Sequence, residues 1–156
     1  MFDIVSKTLS LTRKLEWTGP LLVRLTLGLV FAITGWGKLH NLENVETLFA
    51  SLQIPAPGFN AAFVSTIEFV GGILLIAGLG TRIASALLIG VMTVAILTAK
   101  LPELHGVTDL ANTIELTYLA MFVWLAVAGA GSASLDRLAL SRMKRDTPEL
   151  THAHQH

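Results

Sequence analysis

The chain has 156 residues, of which 53% are hydrophobic and 14% charged, with a mean hydropathy of +0.65. Ordinary globular chains carry about 25% charged residues, so this composition excludes a soluble domain and marks an integral membrane protein. Basic and acidic side chains number 11 each and cysteines number zero; nothing points to nucleic acid, and disulfide relays, thiol redox, cysteine-ligated metals and persulfide carriage are excluded.

The length leaves room for one small bundle and no separate soluble catalytic domain. Residues 1–17 come first and lack a cleavable secretory pattern. Wound at about 100° per residue, Met1, Phe2, Ile4, Val5, Leu9, Leu11 and Leu15 share one half of a helix and Lys7, Arg13 and Lys14 the other. This segment is expected to lie on the cytoplasmic face of the membrane.

Four apolar stretches follow, each near the ~20 residues that a membrane helix needs. The first runs from Pro20 to Gly37 and includes Arg24; the second, Ala61 to Leu79, includes Glu68. The third, Ile83 to Ala99, has no charge, and the fourth, Ile114 to Ala130, opens with Glu115. Lipid offers the backbone no hydrogen-bond partners, and continuous apolar runs without alternation are helices rather than barrel strands. The expected fold is an all-α membrane four-helix bundle over residues 18–140, followed by a cytoplasmic tail, 141–156, that carries His152, His154 and His156. Nothing beside those histidines completes a metal shell, and no metal site is expected.

The connections differ. Gly80, Thr81 and Arg82 form a turn so short that the second and third spans must be an antiparallel hairpin. Between the first two spans Leu42, Val45, Leu48, Phe49 and Leu52 recur at helical spacing before Ile54-Pro55-Ala56-Pro57-Gly58 breaks the helix. An amphipathic segment in this first outer loop is expected, either lidding a cavity or serving as an interfacial connector.

Orientation follows from basic residues. With both termini inside, Lys7, Arg13, Lys14, Arg82, Arg137, Arg142, Lys144 and Arg145 are cytoplasmic; only Lys38 and Lys100 lie at outer helix ends, and Glu43, Glu46, Glu103 and Asp109 fill the outer loops. Single cysteines from Ser6→Cys, Glu46→Cys, Asp109→Cys and Thr147→Cys test this in intact cells. An impermeant thiol reagent should label positions 46 and 109 only; labelling at 6 or 147 refutes the topology.

Ionisable groups within a membrane face the bundle interior, and their spacing agrees. Arg24, Gly28, Phe31, Gly35 and Lys38 share one face of the first helix, and the glycines admit a close neighbour. Ala61, Ser65, Glu68, Gly72 and Leu75 share a face of the second, with Gly71 at its edge. Arg82, Ser85, Ile89, Thr93 and Lys100 align on the third, and Glu115, Tyr118, Phe122, Ala126 and Gly129 on the fourth. The candidate intramembrane polar site therefore comprises Arg24, Lys38, Glu68, Thr93, Lys100, Glu115 and Tyr118. Glu68 is its sharpest member, with Lys38 and Arg24 each roughly 10 Å away in depth. It is either half of an ion pair that sets helix register or a ligand- or proton-binding carboxylate. Arg82 and Asp136 read as topology anchors or a surface pair. Trp17, Trp36 and Trp124 suit interface belts, with Trp124 deep enough to line the core.

These residues resemble the DoxX family of small four-helix membrane proteins over roughly residues 18–140. The resemblance lies in Arg24-x3-Gly28-x2-Phe31-x3-Gly35-x2-Lys38, in Phe49-x2-Leu52 with Ile54-Pro55-Ala56-Pro57, and in Glu68-Phe69-Val70-Gly71-Gly72. Gly80-Thr81-Arg82, Gly129-Ala130-Gly131 and Ser134-Leu135-Asp136 complete it. It implies a multi-pass protein of the bacterial plasma membrane, associated with membrane oxidoreductase assemblies: thiosulfate oxidation coupled to quinone in one branch, thiol and oxidative-stress complexes in another. Without cysteine, sulfur transfer would need a partner or noncovalent binding. No catalytic residues carry over.

Three functions are compatible with the sequence. The first is a subunit of a quinone-linked or redox-stress oxidoreductase assembly, with quinone as cofactor, peripheral redox proteins as partners, and electrons supplied from outside the chain. His40 and His105 lie at outer loop positions and no histidine lies within a span, so the bundle offers no haem ligands. The second is a noncatalytic membrane anchor or assembly factor for peripheral enzymes. The third is a small-solute or ion carrier, which at this size calls for a homo-oligomer.

Overall fold

The computed structural model describes residues 17–103, 106–131 and 134–137. The expected interfacial helix and the histidine-bearing tail lie outside the described residues. Every element among the described residues is helical. α1 spans Thr18–Leu39, α2 Leu42–Ser51, α3 Pro57–Ala77 and α4 Thr81–Ala95; α4 continues through a π-helical turn, Ile96–Lys100, and a 3-10 turn, Leu101–Glu103. α5 spans Val107–Ala111 and α6 Ile114–Ala128.

Local chemistry sets the ends. Pro57 opens α3 because a proline in the first helical turn forfeits no intrahelical bond; the helix therefore starts four residues before the expected Ala61. It ends at Gly78, whose φ of +68° lets Leu79 N–H bond the Leu74 carbonyl at 3.0 Å. Gly80, at φ +57°, opens α4, so the hairpin turn lies two residues earlier than expected. α1, α3 and α4 with its π turn are long and apolar enough to cross a membrane; α6 is apolar but has only 15 residues, about 22 Å.

The four apolar helices form a bundle in which α1 packs chiefly on α3 and α4 on α6; α3 also packs on α4, whereas α1 and α6 touch more sparsely. Leu27, Phe31, Leu75, Leu88, Phe122 and Leu125 form the centre of the core. Phe31 meets Phe122 edge-on, with ring centroids 4.9 Å apart.

Glycines fix the α1–α3 register. A Cβ on Gly28 would lie 2.8 Å from the Gly72 carbonyl oxygen and 3.0 Å from Ile76 N; one on Gly72 would strike Ala32 N, and one on Gly35 Phe69 N. Gly28 thus lies opposite Ile76, Ala32 opposite Gly72 and Gly35 opposite Phe69. Continued, this antiparallel register puts Leu39, the end of α1, opposite Ser65. α3 runs on for eight more residues to Pro57, about 12 Å. There α2 packs against it, with Leu42, Val45 and Phe49 half-buried and the Glu46 carboxylate beside Gly58. That carboxylate suits the positive end of α3.

At the opposite end the same register brings Arg24 to the α3–α4 turn. Arg24, 3% exposed, donates from Nη1 to the Ala130 carbonyl at 2.7 Å. Asp136 accepts from Gly80 N–H at 2.8 Å and donates its own N–H to the Gly78 carbonyl at 3.1 Å. Arg82 reaches the Val127 carbonyl at 3.3 Å. Arg82 and Asp136 therefore do not form the expected surface pair: each ties a different backbone end. Asp136→Ala should lower stability by about 1–3 kcal/mol, because it leaves a part-buried N–H without its charged acceptor. Arg82→Ala should cost about 1 kcal/mol or less. Thermal unfolding in one detergent compares them; equal losses would mean that Asp136 does not hold the turn.

Two further expectations change. On α4 the buried face is Thr81, Ala84, Ser85, Leu88, Val91 and Met92; of the expected stripe Ser85 is buried and Ile89 packs on the core, whereas Arg82 and Thr93 are exposed. Trp124 is 43% exposed and, with Gly19, Val23, Ala120 and Met121, lines a shallow apolar groove between α1 and α6 instead of the core.

Candidate functional site

Glu68 is the twelfth of the 21 residues of α3 and is 2% exposed. Its depth is thus the middle of its helix, deeper than a start at Ala61 implied. Lys38, in the last turn of α1, reaches it because α1 stops at this level: Lys38 Nζ donates to Glu68 Oε1 at 2.7 Å. The carboxylate side chain is 3% exposed and the lysine side chain 39%, so the pair has a buried anion and a cation at its mouth. It sits at the step where α1 ends and α2 takes over the cover of α3.

The second oxygen, Glu68 Oε2, is buried without a hydrogen-bond partner. Ser65 Oγ, three residues earlier on the same face of α3, is fully buried and also without one; residues three apart on a helix are neighbours. Thr81 and Ser85 on α4 carry two more such hydroxyls. The outward-facing threonines behave differently: Thr34, Thr66 and Thr93 each turn their hydroxyl onto a carbonyl of their own helix, those of Val30, Ala62 and Ile89. Side chains facing lipid satisfy themselves, whereas these four buried polar atoms inside α3 and α4 have no hydrogen-bond partner among the described residues.

The candidate residues fall into three groups. Lys38 and Glu68 join α1 to α3. Lys100 and Glu115 join α4 to α6 at the same end of the bundle, 3.6 Å apart, too far for a good hydrogen bond. The π turn that ends in Lys100 precedes this contact, and such turns often mark functional positions. Tyr118 stands edge-on to Phe31, centroids 5.4 Å apart, in the core between the two pairs of helices. Arg24 belongs to the far end, and Thr93 is exposed and bonded within its own helix. Ser65 entered the sequence reading only as one residue of a stripe; its place one turn from an intramembrane carboxylate was the available signal. Among the described residues no three metal-binding side chains gather.

A compact helical bundle with charges paired inside it and aliphatic residues outside defines a small multi-pass membrane protein. A family model described as DoxX matches residues 19–101, and the chain belongs to the DoxX family. It is 30% identical over 128 residues to "Inner membrane protein YqjF" of Escherichia coli, covering 81% of this chain and 95% of that protein. It is 32% identical over 120 residues to "Putative oxidoreductase CatD" of Bacillus subtilis, covering 76% and 84%. A third relative, "Uncharacterized membrane protein Rv3486" of Mycobacterium tuberculosis, is 33% identical over 140 residues, covering 80% and 85%. No solved structure matches the chain significantly. With three helices among the described residues long enough to span, the protein is a multi-pass protein of the bacterial inner membrane.

Proposed function

We propose that this chain is the membrane subunit of a quinone-linked oxidoreductase assembly, and that the Lys38–Glu68 site receives the quinone head group. The observation that carries this reading is a buried carboxylate at mid-helix with one oxygen paired and the other open, beside the open hydroxyl of Ser65. A pair that served helix register alone would have no use for two unsatisfied polar atoms, each costly to bury. A quinone ring is apolar on its faces and polar at two oxygens, which suits a few convergent polar groups among aliphatic and aromatic walls. Trp36 of α1 and Phe69 of α3, with ring centroids 5.3 Å apart, add an aromatic pair within two residues of Lys38 and Glu68 in the sequence. The name of the Bacillus subtilis relative supports an oxidoreductase setting. Two electrons from a peripheral partner reduce the quinone, which takes up two protons as it becomes the quinol, and Glu68 is the carboxylate nearest the head group that would relay them from the aqueous side.

Protein purified in mild detergent and reconstituted in nanodiscs tests the reading. Quinone should appear in its lipid extract, and a short-chain ubiquinone or ubiquinol should bind saturably, with binding lost in Glu68→Leu. If no quinone is extracted and neither form binds, Lys38–Glu68 is a register lock and the assembly-factor function takes precedence.

A further inference from the structure

We infer that the Glu68 site discriminates between the redox forms of its ligand and holds the hydroquinone in preference to the quinone. This rests on the quinone-linked reading above. Paired with an ammonium group, Glu68 is a carboxylate, and a carboxylate only accepts hydrogen bonds. Oε1 takes Lys38 Nζ at 2.7 Å, and Oε2 is buried with no donor. A quinone carbonyl also only accepts, so against Oε2 it would set two acceptors face to face. A hydroquinone hydroxyl donates to Oε2, and the same oxygen accepts from Ser65 Oγ–H, the other unpartnered group on that face. One aromatic hydroxyl therefore satisfies both open atoms; a carbonyl satisfies the serine and leaves the carboxylate bare.

Nearby polar groups do not replace the ligand as donor. The Thr66 hydroxyl bonds the Ala62 carbonyl, Thr93 bonds Ile89, and Lys100 faces Glu115 on the other pair of helices. Lys38, the exposed half of the pair, marks the side from which a ligand reaches Glu68.

The test is anaerobic equilibrium dialysis of the whole protein in nanodiscs against ubiquinol-1 and ubiquinone-1, which share one tail. The wild type should bind the quinol about tenfold or more tightly than the quinone, the share expected of one hydrogen bond to a charged group. In Glu68→Gln the amide both donates and accepts, so quinone binding should strengthen and the ratio fall toward one. Ser65→Ala should weaken both forms and leave the preference intact. Should Glu68→Gln not fold, the double variant Lys38→Gln/Glu68→Gln exchanges the ion pair for an amide pair and gives the same readout. Equal affinities in the wild type, or a preference that survives Glu68→Gln, overturn this inference and leave the quinone site standing. Binding of neither form overturns the quinone-linked reading and this inference with it.

Discussion

Gly72→Ala should destabilise the bundle by about 3 kcal/mol or more, and Gly35→Ala similarly, whereas Gly37→Ala and Gly90→Ala should be neutral or stabilise it by about 0.5–1 kcal/mol. The same methyl group gives opposite signs because of what it meets. At Gly72 it strikes the Ala32 backbone nitrogen and lies 2.8 Å from the Gly28 carbonyl oxygen; at Gly35 it strikes the Phe69 backbone nitrogen. Backbone cannot rotate away as a side chain can, so α1 and α3 must separate along their whole contact. That contact is the most extensive in the bundle and sets the depth at which Lys38 meets Glu68. At Gly37 and Gly90 nothing lies within 4 Å of the added carbon, and the gain is the conformational entropy that glycine forfeits on folding. Thermal midpoints of the four variants in one detergent decide the matter. A uniform effect across them would mean that the α1–α3 crossing is looser than the register requires.

Lys38→Met should cost about 3 kcal/mol, the lower end of the range for breaking a buried pair, and more than Glu68→Gln, which should cost about 1 kcal/mol. The asymmetry follows from exposure. Removing the lysine strands a carboxylate in a side chain that is 3% exposed, with both oxygens then lacking a donor. Removing the carboxylate charge leaves a lysine that is 39% exposed, and its long stem can carry the ammonium to the interface. The glutamine carbonyl also keeps an acceptor in place. The double variant Lys38→Met/Glu68→Leu should recover most of the loss, because replacing both members of a buried pair with apolar groups is often nearly neutral. Chemical or thermal unfolding of the three variants reads this directly. A greater loss for Glu68→Gln than for Lys38→Met would place the burial on the wrong partner.

Much of the bundle was legible in the amino-acid sequence because hydrocarbon is an unforgiving solvent for charge. Arg24, Gly28, Phe31 and Gly35 on α1, and Ala61, Ser65, Glu68, Gly71, Gly72 and Leu75 on α3, are the faces that the 3.6-residue period assigned inward, and all are buried. On α4 the period placed Ser85 and Ile89 inward correctly but misled at Arg82 and Thr93. That span holds no charge between Ile83 and Ala99, and in a membrane the protein interior is no more apolar than the lipid, so hydrophobicity does not separate the two faces. Arg82 and Lys100 at its ends pulled the expected phase toward Thr93, while packing against α3 and α6 buried Ala84, Leu88 and Val91.

Which cation serves Glu68 was decided by tertiary structure alone. Sequence spacing put Lys38 and Arg24 at similar depths from it; the glycine contacts then slid α1 along α3 until Leu39 stood opposite Ser65. That shift gave Lys38 to Glu68 and sent Arg24 to the Ala130 carbonyl. The same shift left two turns of α3 uncovered by α1, and α2 packs there. Composition and period record what each helix must hide from lipid. The axial offset between helices depends on backbone contacts only a few ångströms long, made by residues that have no side chain.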